Sequence, residues 1–339
     1  MAGLGFSEPE RSFEPSNRAA TTPISEPEVK ERPTTTSRGT EASETSGTAP
    51  GDANGAATSD LERLRTMGQE LNAAHDLDRA IVKPPLPRVM AIANQKGGVG
   101  KTTTAVNLGA ALAELGYRVL VVDLDPQGNA TTGLGVNARN LESSVYDVLL
   151  HEVAVEDCIE PTNLRNLFLV PATIDLAGAE IELVPMLSRE TRLKRALATV
   201  VDDFDYLLID CPPSLGLLTV NALAAANEVV VPIQCEYYAL EGLGQLLSNI
   251  ERVRANLNPA LSVTTIVMTM FDARTRLAEQ VVEEVRGHFG PRVCRSVVPR
   301  TVRLSEAPSY GQPIIVFDPS SRGATAYREL AKEVSGGAP

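Results

Sequence analysis

The chain has 339 residues, 43% of them hydrophobic, and 43 acidic against 31 basic side chains give it a formal charge of −12. That leaves room for one large α/β domain plus an appendage, and it argues against a uniformly basic, polyanion-coating protein. Four scattered cysteines, Cys158, Cys211, Cys235 and Cys294, read as reduced core or strand residues and not as a zinc or disulfide set, and no run reaches the ~18 apolar residues a spanning helix needs.

Residues 1–85 read as an acidic, Ser/Thr/Pro-rich disordered tail, because almost no large apolar side chain follows Phe13 until about residue 60. Within the tail, Leu61, Leu64, Met67 and Leu71 recur at helical spacing, making 60–80 the candidate for a short helix with Asp60 as its cap. The N-terminus lacks the basic-then-apolar order of a leader, so the expectation is a soluble, cytoplasmic protein. Lys83-Pro84-Pro85-Leu86-Pro87 stiffens the junction, and the folded domain is expected over 86–339.

The apolar run Val89 to Ala93 predicts a strand, and Thr103 to Leu115 predicts a helix. Between them lies Gln95-Lys96-Gly97-Gly98-Val99-Gly100-Lys101-Thr102-Thr103. Strand, glycine loop and helix are the parts of a phosphate cradle. Gly97, Gly98 and Gly100 let the backbone curl round an oxyanion, Lys101 supplies a charge for the β and γ phosphates, and the Thr102 hydroxyl can ligate Mg²⁺. The strict pattern G-x-x-x-x-G-K-[ST] fails at Gln95, and a second lysine, Lys96, precedes the glycine pair.

Further along, the β-branched run from Arg118 ends in Asp123-Leu124-Asp125, followed by Pro126 to Asn129, which sets a carboxylate pair at a strand tip. Tyr206-Leu207-Leu208-Ile209-Asp210 is a second apolar strand ending in one acid, suited to hold the Mg²⁺ shell through water. Leu167 to Ala172, Glu228 to Ile233 and Ser262 to Thr269 read as strands. Ile181 to Val200, Leu217 to Ala226, Ala239 to Leu257, Arg276 to Phe289 and Thr325 to Glu333 read as helices. The alternation predicts an α/β fold, a doubly wound, mostly parallel sheet with helices on both faces.

The lysine-bearing loop resembles the deviant Walker A loop of the ParA/MinD class of P-loop ATPases. The runs Cys235 to Gly242, Val298 to Ser309 and Asp318 to Gly323 resemble the chromosomal ParA/Soj branch. The resemblance implies ATP and Mg²⁺ as cofactors, with Lys96, Lys101 and Asp125 catalytic. Lys96 would reach the partner subunit's nucleotide in an ATP-dependent homodimer, and Asp125 would orient the attacking water. It implies nucleotide contacts from Lys96, Gly97, Gly98, Val99, Gly100, Lys101, Thr102, Thr103, Pro299 and Thr301, and metal contacts from Thr102, with Asp210 and Asp125 acting through water. The family usually shows Pro-Arg-Asn where this chain has Pro299-Arg300-Thr301, so the backbone there is left to serve the adenine.

Function follows in the same terms: an ATPase of slow basal turnover for chromosome partition, associated with the nucleoid. It would bind nonspecific double-stranded DNA as an ATP-sandwiched dimer and be released by ParB-stimulated hydrolysis. A polar anchoring protein is a further partner, of unread identity. Between Glu251 and Arg303 nine arginines face five acids, so a basic face can exist on an acidic chain. The resemblance singles out Arg274 and Arg303 for DNA. A MinD-like membrane cycle is disfavoured by the polar end Ala331 to Pro339, which predicts no direct membrane insertion, and an iron–sulfur reductase by the lack of paired cysteine ligands.

Overall fold

The computed structural model describes residues 85–236 and 241–336. The expectations of a disordered tail and of a helix at 60–80 lie outside the described residues, as does the stretch 237–240.

Strands β1 (Arg88–Ile92), β2 (Val119–Asp123), β4 (Leu167–Val170), β5 (Tyr206–Asp210), β6 (Glu228–Gln234), β7 (Ser262–Phe271) and β8 (Val293–Pro299) are parallel, and two-residue β3 (Glu160–Pro161) pairs antiparallel with β4. The order is β3-β4-β2-β5-β1-β6-β7-β8. The central strands read as unbroken apolar runs because both of their faces are covered. Val89, Ala91, Leu120, Val122, Leu207 and Ile209 enter one core; Met90, Ile92, Val119, Val121, Tyr206 and Leu208 enter the other. This is the expected doubly wound architecture, and it brings the C-terminal tips of the parallel strands to one edge of the sheet.

Helices α1 (Lys101–Glu114), α2 (Asn129–Gly133), α3 (Val145–Leu150), α4 (Leu176–Glu182), α5 (Arg192–Leu197), α6 (Leu217–Ala225), α7 (Glu241–Asn256), α8 (Arg276–Phe289), α9 (Val302–Glu306), α10 (Ile314–Phe317) and α11 (Arg322–Ser335) connect and cover the strands. The single helix expected over Ile181 to Val200 is instead the end of α4, an irregular stretch, and α5. Pro185 is the physical reason: it has no N–H to donate, and its ring clashes with the carbonyl four residues back, so the helix stops before it. Ser188, at φ 53°, turns the chain before α5. Helix α3 carries a capping box, in which the Ser144 hydroxyl accepts the Tyr146 N–H and Asp147 accepts the Ser144 N–H. Strand β8 escapes the sequence pattern because exposed Arg295 interrupts its apolar run at the sheet edge.

All four cysteines are free and buried. Among the described residues no helix is long and apolar enough to cross a membrane.

One buried ion pair clamps the start of the sheet. The Arg88 Nε and Nη2 donate to the two Glu228 carboxylate oxygens at 2.6 Å each, Nη1 donates to the Val334 carbonyl at 2.6 Å, and the Thr264 hydroxyl donates to Glu228 at 2.7 Å. Strands β1 and β6 and helix α11 are thereby joined. Removing one partner strands a charge in the interior. Arg88→Ala is expected to cost about 3–5 kcal/mol of unfolding free energy, and Arg88→Met/Glu228→Leu far less. Denaturant midpoints of the two variants check this.

Candidate functional site

The tips of β2, β5 and β1 are neighbours in the sheet, and the loop leaving β1 is braced on several sides. Buried Asn94 donates from Nδ2 to the Pro232 carbonyl on β6 at 2.8 Å and accepts the Lys96 N–H at 3.0 Å. Gly98 and Gly100 have φ of 74° and 90°, a region where a side chain would be strained. Gly100 is the N-cap of α1, so the first-turn N–H groups of a 14-residue helix open onto the loop. The Thr269 hydroxyl on β7 donates to the Val99 carbonyl at 2.8 Å.

Lys101 is buried, and its ammonium donates to the neutral Lys96 carbonyl at 3.3 Å. Burial lowers its pKa, while the nearby carboxylates Asp210 and Asp125 oppose that shift. A buried cation bonded to a neutral group fits an incoming anion as its counter-charge. Lys96 is more open, with its Nζ 3.7 Å from a Glu236 carboxylate oxygen.

Three carboxylates occupy the same pocket in different states. Asp123 is fully buried and accepts the Thr131 N–H at 2.8 Å, the Thr131 hydroxyl at 2.7 Å and the Asp125 N–H at 3.1 Å. Burial pushes its pKa up to about 6 against these hydrogen bonds. Thr131 in turn accepts the Ala172 N–H at 3.0 Å, so Asp123 fixes the loop that carries Asp125. Asp125 is nearly buried and accepts the Gln127 N–H at 3.0 Å.

Asp210 is fully buried, and neither carboxylate oxygen makes a hydrogen bond. Burial raises its pKa well above the carboxylate range, with repulsion from Asp123 and Asp125 adding, while the Thr102 hydroxyl and the Lys101 ammonium pull the other way. Orphaned oxygens of this kind fit a hydrated divalent cation. Among the described residues no group of three or more His, Cys, Asp or Glu could hold a metal alone. A cation here would therefore share Thr102, Asp210 through water, and a phosphate.

Of the residues expected from sequence, Lys96 to Thr103, Asp125 and Asp210 come together at these three strand tips. Pro299 and Thr301 lie at the end of β8, three places along the sheet from β1. The Thr301 hydroxyl accepts the Leu304 N–H at 3.3 Å as the N-cap of α9, so that side chain serves the helix.

Arg274 lies in the turn after β7, and Arg303 in the first turn of α9 after β8. Phe271 pairs with Pro299 across β7 and β8, and the Arg300 N–H donates to the Phe271 carbonyl at 3.0 Å. The nine arginines of this region do not form one face, since Arg292 is buried and Arg254 pairs with Glu251 on α7. The sequence reading missed Asn94, Thr131 and Thr269 as supports. Asn94 and Thr131 adjoin motifs and could have been flagged, whereas Thr269 becomes legible only once β7 is laid beside the loop.

Residues 87–263 match a family described as an AAA domain. The chain is 60% identical over 248 residues to the sporulation initiation inhibitor protein Soj of Bacillus subtilis, covering 73% of this chain and 98% of that one. It is 55% identical over 247 residues to the chromosome partitioning protein ParA of Myxococcus xanthus, covering 73% and 87%. Among solved structures it resembles the cobyrinic acid a,c-diamide synthase of Mycobacterium smegmatis with bound ADP and magnesium, at TM-score 0.64 and 44% identity, covering 74% of this chain and 97% of that one.

The Asp123 carboxyl gives a pH test of the network. Its folded pKa of about 6 lies above the ordinary 3.8, so its stabilising contribution is complete below about pH 4 and is lost as pH rises through about 6. In urea unfolding of the ligand-free protein from pH 4 to 7, wild-type stability is expected to fall relative to Asp123→Asn. Parallel curves would mean that Asp123 titrates alike in the folded and unfolded chain.

Proposed function

The chain belongs to the ParA/Soj family of partitioning ATPases, and from that membership and the site geometry we propose an ATP-driven chromosome-partition protein that binds DNA nonspecifically as a nucleotide-sandwiched homodimer. The cofactors are ATP and Mg²⁺. The 97–100 backbone and the first-turn N–H groups of α1 receive the phosphates, Lys101 neutralises the β and γ oxygens, and Thr102 with Asp210 through water holds the cation. Bound Mg²⁺ supplies charge neutralisation of the phosphates. Asp125, kept in place by Asp123, orients the water that attacks the γ-phosphorus, and ADP and phosphate leave. Lys96 exchanges Glu236 for the partner's nucleotide.

What supports the DNA half of this reading is the match of Arg274 and Arg303 to the family pattern, with Arg274 following the strand β7 that the Thr269–Val99 hydrogen bond ties to the phosphate loop. One such surface is a weak site. Two held in a dimer act at high effective concentration, so ATP switches binding on and hydrolysis switches it off. A ParB-type protein that stimulates hydrolysis then makes release directional, and the protein rides the nucleoid.

The test is binding of the full-length protein to random-sequence duplex with ATP, with ADP and without nucleotide. Tight binding is expected only with ATP, and Arg274→Glu/Arg303→Glu is expected to lower it at least tenfold while ATP binding persists. DNA ignored in all three states, with ATP still driving dimerisation, would overturn the reading.

A further inference from the structure

We propose that the arginines offered to DNA are restrained by carboxylates two and three residues away in the chain, so that Asp272 and Glu306 set the affinity of this surface by competing with phosphate. The inference rests on the DNA-binding reading and concerns its regulation.

Arg274 is 88% exposed, yet its guanidinium makes a two-point pair with one carboxylate: Nε donates to Asp272 Oδ1 at 2.9 Å and Nη2 to Oδ2 at 2.6 Å. The same carboxylate accepts the Arg274 N–H at 3.1 Å, which locks acid and arginine into one tight turn. Arg274 and, more weakly, Arg300 hold that carboxyl far below the usual carboxylate range. On α9, Arg303 Nη1 donates to Glu306 at 3.1 Å, its Nε lies 3.4 Å from Asp318, and its guanidinium sits over the Phe317 ring at 5.6 Å. Arg274 and Arg303 are thus paired with Asp272, Glu306 and Asp318, and Arg300 lies close enough to Asp272 to act on its charge.

Phosphate therefore reaches the arginines by partner exchange. Every arginine–phosphate bond that forms displaces an arginine–carboxylate bond, and the freed carboxylate takes up a cation as the DNA releases one. Both affinity and salt dependence fall below what the arginines alone would give. The arrangement keeps a single protomer off DNA while leaving two linked protomers able to bind.

Asp272→Asn isolates the effect, because the amide oxygen can still accept the Arg274 N–H while the charge is gone. Duplex binding by the full-length protein with ATP and Mg²⁺ would be measured across a salt series for wild type, Asp272→Asn, Arg274→Ala, the double variant, and Glu142→Gln. The last removes an equal charge from an exposed loop elsewhere. Asp272→Asn is expected to tighten binding about two- to five-fold per surface, multiplied when a dimer engages two, and to steepen the log–log salt slope by about one per surface. The tightening should vanish in the Arg274→Ala background.

Equal tightening with and without Arg274, or tightening matched by Glu142→Gln, would reduce the effect to overall charge and overturn the proposal. A wild type that ignores DNA removes the reading on which it rests, and the proposal with it. Should Asp272→Asn fail to fold, Glu306→Gln makes the same test through Arg303.

Discussion

The parallel pairing of β1 with β5 on one side and β6 on the other is the constraint from which the rest of the molecule follows. Parallel strands end at the same edge, so the loop after β1, the acid at the tip of β5 and the carboxylate pair at the tip of β2 must meet. The register makes this explicit: Ile92 and Asp123 both pair with Asp210. Shifting either ladder by a residue would separate Asp210 from the loop and turn the strand's side chains to the opposite core. The buried Arg88–Glu228 pair lies at the other end of the same strands and fixes β1 against β6.

Around that junction the protein concentrates groups that are costly alone. A buried lysine bonded to a carbonyl, a buried aspartate without hydrogen bonds and a buried aspartate with three share a few strand tips. Asp123 is satisfied by its own chain and shapes a loop. Asp210 is unsatisfied and fits an outside charge. Two residues of one type at equivalent strand ends thus take opposite roles, and only the donors around them tell which is which.

Much of this was legible in the sequence because it is local. The glycine loop, the acids at strand tips and the apolar runs of β1, β2, β5 and β6 each declare themselves within ten residues. What stayed hidden depends on distant partners or on breaks in a pattern. Pro185 stood in view, yet the apolar spacing either side of it argued for one helix. Arg295 masked the edge strand β8. Thr269 resembles any strand threonine until the sheet order sets it against Val99. The restraint on Arg274 is a further case, since Asp272 is two residues away in the chain but its meaning comes from the turn that folds it back.

The bond from Thr269 to Val99 makes β7 a strut between the phosphate loop and the turn that carries Arg274. A strut transmits position, and it permits little independent movement at either end. An arginine turn that follows the phosphate loop's own brace would, on the proposed reading, present much the same face whatever occupies that loop. On the proposed reading, nucleotide state would be recorded in how many such faces stand together. A protomer of this build would then work as a counter, and its output would be arithmetic: one surface or two.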